Sequence, residues 1–228
     1  MPKLIRRRDF DFLLYEVFDV EALGTTSAFA GQARELFDAI IDTALKIAEQ
    51  KFEPCAARLD TEEPRWEDGK VVLPLALKEA VQAFIDAGFI AAPFDEDQGG
   101  MGLPYTILQA YMAGFSAANV SAVAYPLLTI AAANLLAAHA SDDQRATYLA
   151  PMLEGRFFGT MCLSETQAGS PLADITTTAT PRDDGAFEIV GNKMWISGGE
   201  HELCENIVHL VLARLPGSPP GIKGISLF

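Results

Sequence analysis

Met161-Cys162-Leu163-Ser164-Glu165-Thr166-Gln167-Ala168-Gly169-Ser170 reads as the end of a β-strand running into a loop of small residues. It opens a series of β-rich runs separated by polar turns: FFGTMCLS (157–164), ITTTAT (175–180), FEIVGNKMWIS (187–197), NIVHLVLAR (206–214) and KGISLF (223–228). A β-domain is therefore expected from residue 157 onward. Arg182-Asp183-Asp184-Gly185 marks a hairpin, because glycine tolerates the positive φ such a turn needs. Trp195-Ile196-Ser197-Gly198-Gly199 is expected to end the strand begun at Phe187. Where a strand opens into a Gly/Ser turn, free amides and hydroxyls can face a polar heterocycle or pyrophosphate, and an indole can cover a flat ring. Taken alone, these residues are better read as ordinary strand-end and turn chemistry.

Upstream of residue 157 the period is helical. Phe10, Leu13, Leu14, Val17 and Phe18 form a stripe over 9–22, ended by Gly24 and a turn at Thr25, Thr26 and Ser27. From Ala30 to Arg58, Phe37, Ile40, Ile41, Ala44, Leu45 and Ala48 share one face, and Pro54 is expected to kink or end that helix. Residues 59–73 read as a loop with a brief extended piece at Val71-Val72-Leu73. Pro74 opens a helix carried by Leu77, Ala80, Val81, Phe84 and Ile85 to a stop at Gly88, and Pro93 to Pro104 is irregular. Helices resume at Tyr105 as two segments expected to part near Tyr125-Pro126. Ser141, followed by Asp142 and Asp143, caps a last helix through Leu153 that stops at Gly155.

Composition narrows the class. The chain of 228 residues is 50% hydrophobic and 21% charged, which suits a globular protein with a substantial core. A formal charge of −14 repels phosphate backbones and anionic lipid, so neither nucleic acid nor a membrane surface is an expected partner. The charge excludes little about small anionic ligands, which local donors can hold. Cys55, Cys162 and Cys204 are odd in number and lack metal-like spacing, which suits a reducing compartment and gives a cytoplasmic expectation. Met1 to Arg8, with Lys3 and Arg6-Arg7-Arg8, lacks an apolar signal core and reads as a solvated start. Ala117 to Ala138 has the length of a membrane span, but Asn119, Asn134, Pro126 and its alanine content favour buried core helices.

Several chemistries find no support. His201-Glu202-Leu203-Cys204-Glu205 places Glu205 where a zinc helix needs its second histidine, so a polar loop is the better reading and no metal is expected. Gly99-Gly100-Met101-Gly102 lacks the lysine of a phosphate-binding loop, and no GxGxxG occurs. Ala168-Gly169-Ser170-Pro171 does not make a nucleophile elbow.

Taken together, Cys162-Leu163-Ser164-Glu165, Ala168-Gly169-Ser170 and the later Gly191-x-Lys193-x-x-Ile196-Ser197-x-Gly199 resemble the middle domain of the acyl-CoA dehydrogenase family. Ala87-Gly88-Phe89-Ile90, Gly99-Gly100-Met101-Gly102, and Asp143-Gln144 with Tyr148-Leu149, Pro151 and Gly155 resemble its helical domain in order and spacing. The run Glu205 to Arg214 and the extra N-terminal helical region are similar to a subgroup that includes 3-methylmercaptopropionyl-CoA dehydrogenases. The resemblance implies an α+β fold: a helical extension over 1–28, a helical domain over 29–156, and an incomplete antiparallel β-domain over 157–228. It implies FAD as cofactor, an acyl-CoA as substrate, and a homo-oligomer.

Carried to these positions, the resemblance implies that Met161, Leu163 and Ser164 lie against the pyrimidine side of the flavin, with Gly169 in the same loop. It implies that Ser170 reaches the phosphate or thioester-ligand region, that Trp195 and Ile196 cover the ring, and that Ser197 approaches the reactive nitrogen. Thr166, Gln167 and Pro171 depart from the family pattern and put the loop course in question. The family chemistry removes an α-proton with a glutamate while the β-hydrogen leaves as hydride. The resemblance implies that this glutamate lies in a C-terminal helical domain beyond residue 228, and no glutamate of this chain is a justified substitute. Lys223 to Phe228 reads as a strand with no turn, cap or polar tail after it, as if cut in mid-strand. The chain is accordingly expected to be an N-terminal portion of such an enzyme, inactive alone, holding FAD weakly or not at all, with a self-associating or partly disordered edge near its C-terminus. A non-catalytic interaction or assembly module on the same scaffold is the alternative.

Overall fold

A computed structural model describes residues 6–228; Met1 to Ile5, including Lys3, lie outside the described residues. Helices come first and a sheet follows, as the change of period predicts. The leading segment is α1 (Arg7–Asp11), continued by a π turn (Phe12–Val17) and 3-10 turns at Val20–Thr25 and Ser27–Phe29. Of its expected stripe only Leu14 is buried, while Leu13, Val17 and Phe18 are exposed together with Phe12. The wider π winding rotates successive side chains differently from a 3.6-residue turn, so the stripe does not stay on one face. Arg7 is not a solvated residue: it pairs with Asp11, Asp38 and Asp42 and ties this segment to the next helix.

That helix runs without interruption as α2 (Arg34–Ile47), a π turn (Ala48–Phe52) and α3 (Glu53–Thr61). Pro54 does not end it: the proline stands just past the π turn, and the wider winding there carries the helix past the residue that cannot donate. The loop after it holds a small hairpin of β1 (Arg65–Glu67) and β2 (Lys70–Val72). Helix α4 (Leu75–Asp86) starts after Pro74 and stops at Gly88, whose φ of 75° is left-handed.

The core is built around α5 (Tyr105–His139). Phe52, Phe84, Phe89, Tyr111 and Phe115 pack ring against ring, with Phe52–Phe115 and Phe84–Phe115 centroids both 4.8 Å apart. Each ring buried contributes about 1.5–3 kcal/mol before entropy is charged. The break in α5 lies at Asn119 (φ −164°, ψ 94°), not at Tyr125-Pro126, which stays inside the helix. Asn119 Oδ1 accepts from the Ala122 amide at 3.0 Å, so this side chain caps the second segment. Its Nδ2 donates to the Phe52 carbonyl and approaches Cys55 Sγ, which fixes the turn to α3 from the other side. Although α5 is long and apolar enough to cross a membrane, its buried residues pack within this core.

Ser141 and Gln144 form a reciprocal capping box, opening α6 (Asp142–Gln144), a π turn (Arg145–Leu149) and α7 (Ala150–Leu153). The sheet then begins with β3 (Phe157–Cys162). Gly159 lets that strand approach α5, since a Cβ there would sit 2.4 Å from that of Ala132. Strands β4 (Thr178–Pro181) and β5 (Phe187–Val190) form the expected hairpin, followed by β6 (Asn206–Arg214) and β7 (Ile225–Leu227). The sheet is mixed rather than wholly antiparallel: β6 pairs parallel with β3 from Phe157↔Asn206 to Cys162↔Val211, and parallel with β4 at Thr178↔Arg214. β7 adds antiparallel to β6. The long connection between β3 and β6 permits the parallel pairing that a tight turn would forbid.

Candidate functional site

Strand β3 ends at Cys162, and two bonds lay a distant stretch beside that end. The Leu163 carbonyl accepts from Lys193 Nζ at 3.0 Å, and the Ser164 carbonyl accepts from the Met194 amide at 2.9 Å. The two motifs quoted from the sequence are thus neighbours in space. The strand expected over 187–197 stops at Val190, because Met194 bonds to Ser164 instead of continuing the β4 ladder. Trp195 then takes a left-handed backbone (φ 61°), which no strand accommodates.

Glu165 organises this region. Its side chain is 2% exposed and accepts from six donors. Oε1 receives the Thr177 hydroxyl (2.5 Å), the Thr177 amide (3.0 Å) and Lys193 Nζ (2.9 Å). Oε2 receives Gln167 Nε2 (2.6 Å), the Thr176 amide (2.8 Å) and the Thr176 hydroxyl (2.8 Å). Burial pushes the carboxyl pKa up, but the bonds from Thr177, Thr176 and Lys193 outweigh it and hold the group well below the usual carboxylate range. The carboxylate is therefore ionised and fully occupied. Gly191 lets the later segment pass this cluster, since a Cβ there would lie 2.2 Å from Thr177 Oγ1. On the far side, the Arg214 guanidinium donates to the carbonyls of Ile175, Ala173 and Gly221, which fixes the stretch that delivers Thr176 and Thr177.

Met161 is exposed on β3, Leu163 and Ser164 are half-buried at its end, and Gly169 and Ser170 are exposed. Ser170 precedes a short 3-10 turn (Leu172–Asp174) that Pro171 enters with φ −79°, a value proline adopts without strain. Trp195 is 83% exposed, Ile196 half-buried and Ser197 exposed in a turn closed by the Gly199 amide on the Ile196 carbonyl. The structure brings Leu163 and Ser164 to Lys193 and Met194. Among the described residues no hydrogen bond joins Ser170 to Trp195 or Ser197. The donor set fits a flat polar ring: exposed hydroxyls at Ser170 and Ser197, an uncovered indole, and open space at Gly169.

No residue of this cluster is suited to remove a proton. Glu165 is already saturated, Glu202 pairs with Lys70 at 2.7 Å, and Glu205 pairs with Arg156 at 3.3 Å. His201 is buried between Tyr125 and Phe158, and its Nδ1 accepts from the Leu203 amide. Burial first, and the charge of His209 second, lower its pKa to about 4. Among the described residues no three His, Cys, Asp or Glu side chains converge in a way that could hold a metal ion.

Sequence reasoning gave no role to Glu165, Lys193, Thr176 or Thr177. Glu165 and Lys193 stood inside the matched motifs, but side chains this far apart in sequence carry no spacing signal for a buried pair.

Comparison with known proteins places these features in a family context. The family described as "Acyl-CoA dehydrogenase, N-terminal domain" matches residues 35–156. A 3-methylmercaptopropionyl-CoA dehydrogenase of Ruegeria pomeroyi is 43% identical over 92% of this chain, which spans 35% of that protein. Butyryl-CoA dehydrogenase from Megasphaera elsdenii superposes with a TM-score of 0.69 at 21% identity, over 86% of this chain and 48% of its own. An acyl-CoA dehydrogenase from Bacillus anthracis complexed with FAD superposes at 0.67 and 19% identity, over 87% and 32%. The chain thus spans about a third of the length of the curated relatives it matches.

Proposed function

Because this chain belongs to the acyl-CoA dehydrogenase family, we propose that it supplies the helical and cofactor-facing β portion of an FAD-dependent enzyme that desaturates an acyl-CoA thioester between its α and β carbons. The observation that carries this reading is the adjacency of the β3 end and the 193–197 segment, made by the Met194–Ser164 and Lys193–Leu163 bonds. Between them these segments offer Met161, Leu163, Ser164 and Ile196 as an apolar and hydroxyl-bearing edge, Trp195 as a cover, and Ser197 as a hydroxyl donor. Gly169 and Ser170 form the adjoining polar lip. A bound flavin would supply the hydride acceptor. The chain's own residues would bind and orient it and exclude water from one side.

Glu165 is not available as the base that removes the α-proton, since its carboxylate is committed to six donors, and we assign that step to a group of the parent protein outside this chain. We assign no activity to the chain alone; the three cysteines, odd in number and without metal-like spacing, support a cytoplasmic setting, and the family reading supports a homo-oligomeric parent. The test is a visible spectrum after mixing with FAD and desalting, followed by a dye-reduction assay with a panel of acyl-CoAs. A retained flavin band without dye reduction is the expected result in protein that holds the cofactor. Dye reduction by this chain would overturn the assignment of the base to another segment. Loss of flavin from the chain, with no change in Trp195 fluorescence on titration, would count against the cradle.

A further inference from the structure

The two segments of the candidate site are not held together by a strand ladder, since β5 stops at Val190 and β6 starts only at Asn206. The Met194 amide and the Lys193 ammonium make the connection instead. The ammonium donates both to the Leu163 carbonyl and to Glu165, and the Lys193 side chain is only 12% exposed beside a carboxylate that is 2% exposed. A pair so withdrawn from water survives only when its geometry is good and the remaining lone pairs are satisfied, as they are by Thr176, Thr177 and Gln167. Two residues on, Trp195 holds the left-handed backbone that projects its indole into solvent. A bulky residue keeps such a conformation only where its flanks are fixed. Lys193 and Met194 fix the upstream flank; the Ile196–Gly199 turn, with Gly198 close to Tyr125, fixes the downstream one.

We propose that the Glu165–Lys193 pair is a positioning latch, which sets how the Trp195–Ser197 segment stands over the Leu163–Ser164 strand end and so what environment a flat ring meets between them. The inference rests on the cofactor reading above for the identity of the ring, but not for the latch itself. Neither residue is catalytic: both act through the segments they join.

The experiment uses the full chain with Lys193→Met, Glu165→Gln, the double variant and Lys193→Arg. Amide exchange of 164–168 and 193–199 is followed without ligand, and FAD affinity and flavin band position are followed by titration. The latch predicts that Lys193→Met accelerates exchange in both segments while α2 and α5 keep their protection. It predicts FAD binding weakened by about tenfold with a shifted band, a smaller effect in Lys193→Arg, and a double variant whose loss is smaller than the sum of the two single losses. Where Glu165→Gln unfolds the loop, Lys193→Arg carries the test, because it keeps the charge and alters the reach. Faster exchange confined to one segment, or to neither, overturns the latch. Coupled exchange with unchanged affinity and band overturns its positioning role. Coupled exchange in a chain that takes up no FAD upholds the latch and counts against these two segments holding the ring by themselves.

Discussion

Thr177 donates its hydroxyl to Glu165 at 2.5 Å, and the same oxygen closes the space over Gly191. Gly191→Ala therefore forces either the threonine or the 191–194 segment to move, at a cost of about 1–3 kcal/mol in urea unfolding; an unchanged midpoint would show that the segment gives way freely. His201 sets a second test, through pH. Its folded pKa of about 4 lies below the unfolded value of 6.5, so between those values the unfolded chain binds a proton that the folded chain refuses. Its contribution is complete above pH 6.5 and is lost as the pH falls toward 4, by up to about 3 kcal/mol. His209, Cys204 and Tyr125 are the other titratable groups near it, and Phe158 faces it. In His201→Phe, which keeps an aromatic ring against Tyr125 and Phe158, the dependence of unfolding free energy on pH in this window should flatten. Equal slopes in the two proteins would place the titration elsewhere. Single residues were also the least legible part of the sequence. Glu165 and Lys193 are types that normally face water, and nothing local distinguishes a saturated buried carboxylate from a surface one.

Helix α5 shows what an element-level reading captures and where it fails. Its existence and burial follow from a long apolar run, but the break was expected at Pro126 and occurs at Asn119. Proline disfavours a helix through what it lacks, whereas Asn119 breaks this one through what it supplies: an acceptor for Ala122 and a donor for Phe52. Asn119→Ala removes a cap and leaves the buried Ala122 amide without its acceptor, so a loss of about 2 kcal/mol is expected in thermal or urea unfolding. A loss under a few tenths would mean that the Asn119 contacts do not hold the kink. The π turns at Phe12–Val17, Ala48–Phe52 and Arg145–Leu149 were invisible for a related reason. A 3.6-residue template assumes the winding it tests, so a local change of winding shows only as an apolar stripe that drifts off its face. The helix starts at Pro74 and Ser141 and the stops at Gly88 and Gly155 were legible, since each rests on the chemistry of one residue.

At the scale of the whole molecule, exposed apolar side chains gather on the leading segment, at Phe12, Leu13, Val17 and Phe18, and on the outer strands, at Phe187, Ile189, Val190 and Leu227. Strand β5 is exposed along its entire length. Such an edge pairs readily with other chains. Concentration-dependent association is expected in sedimentation velocity, and Ile189→Lys with Val190→Lys should weaken it; a monomer at every concentration would refute the expectation. The parallel pairing of β3 with β6 has a further consequence, in time rather than space. Everything between Cys162 and Asn206, including both halves of the candidate site, is enclosed in the loop that this pairing closes. Closing so distant a contact is slow compared with winding the helices upstream. The helical layer should therefore acquire protection first in pulse-labelled refolding, and the Glu165 cluster should mature only after β6 has found β3, making the site the last part of the protein to assemble.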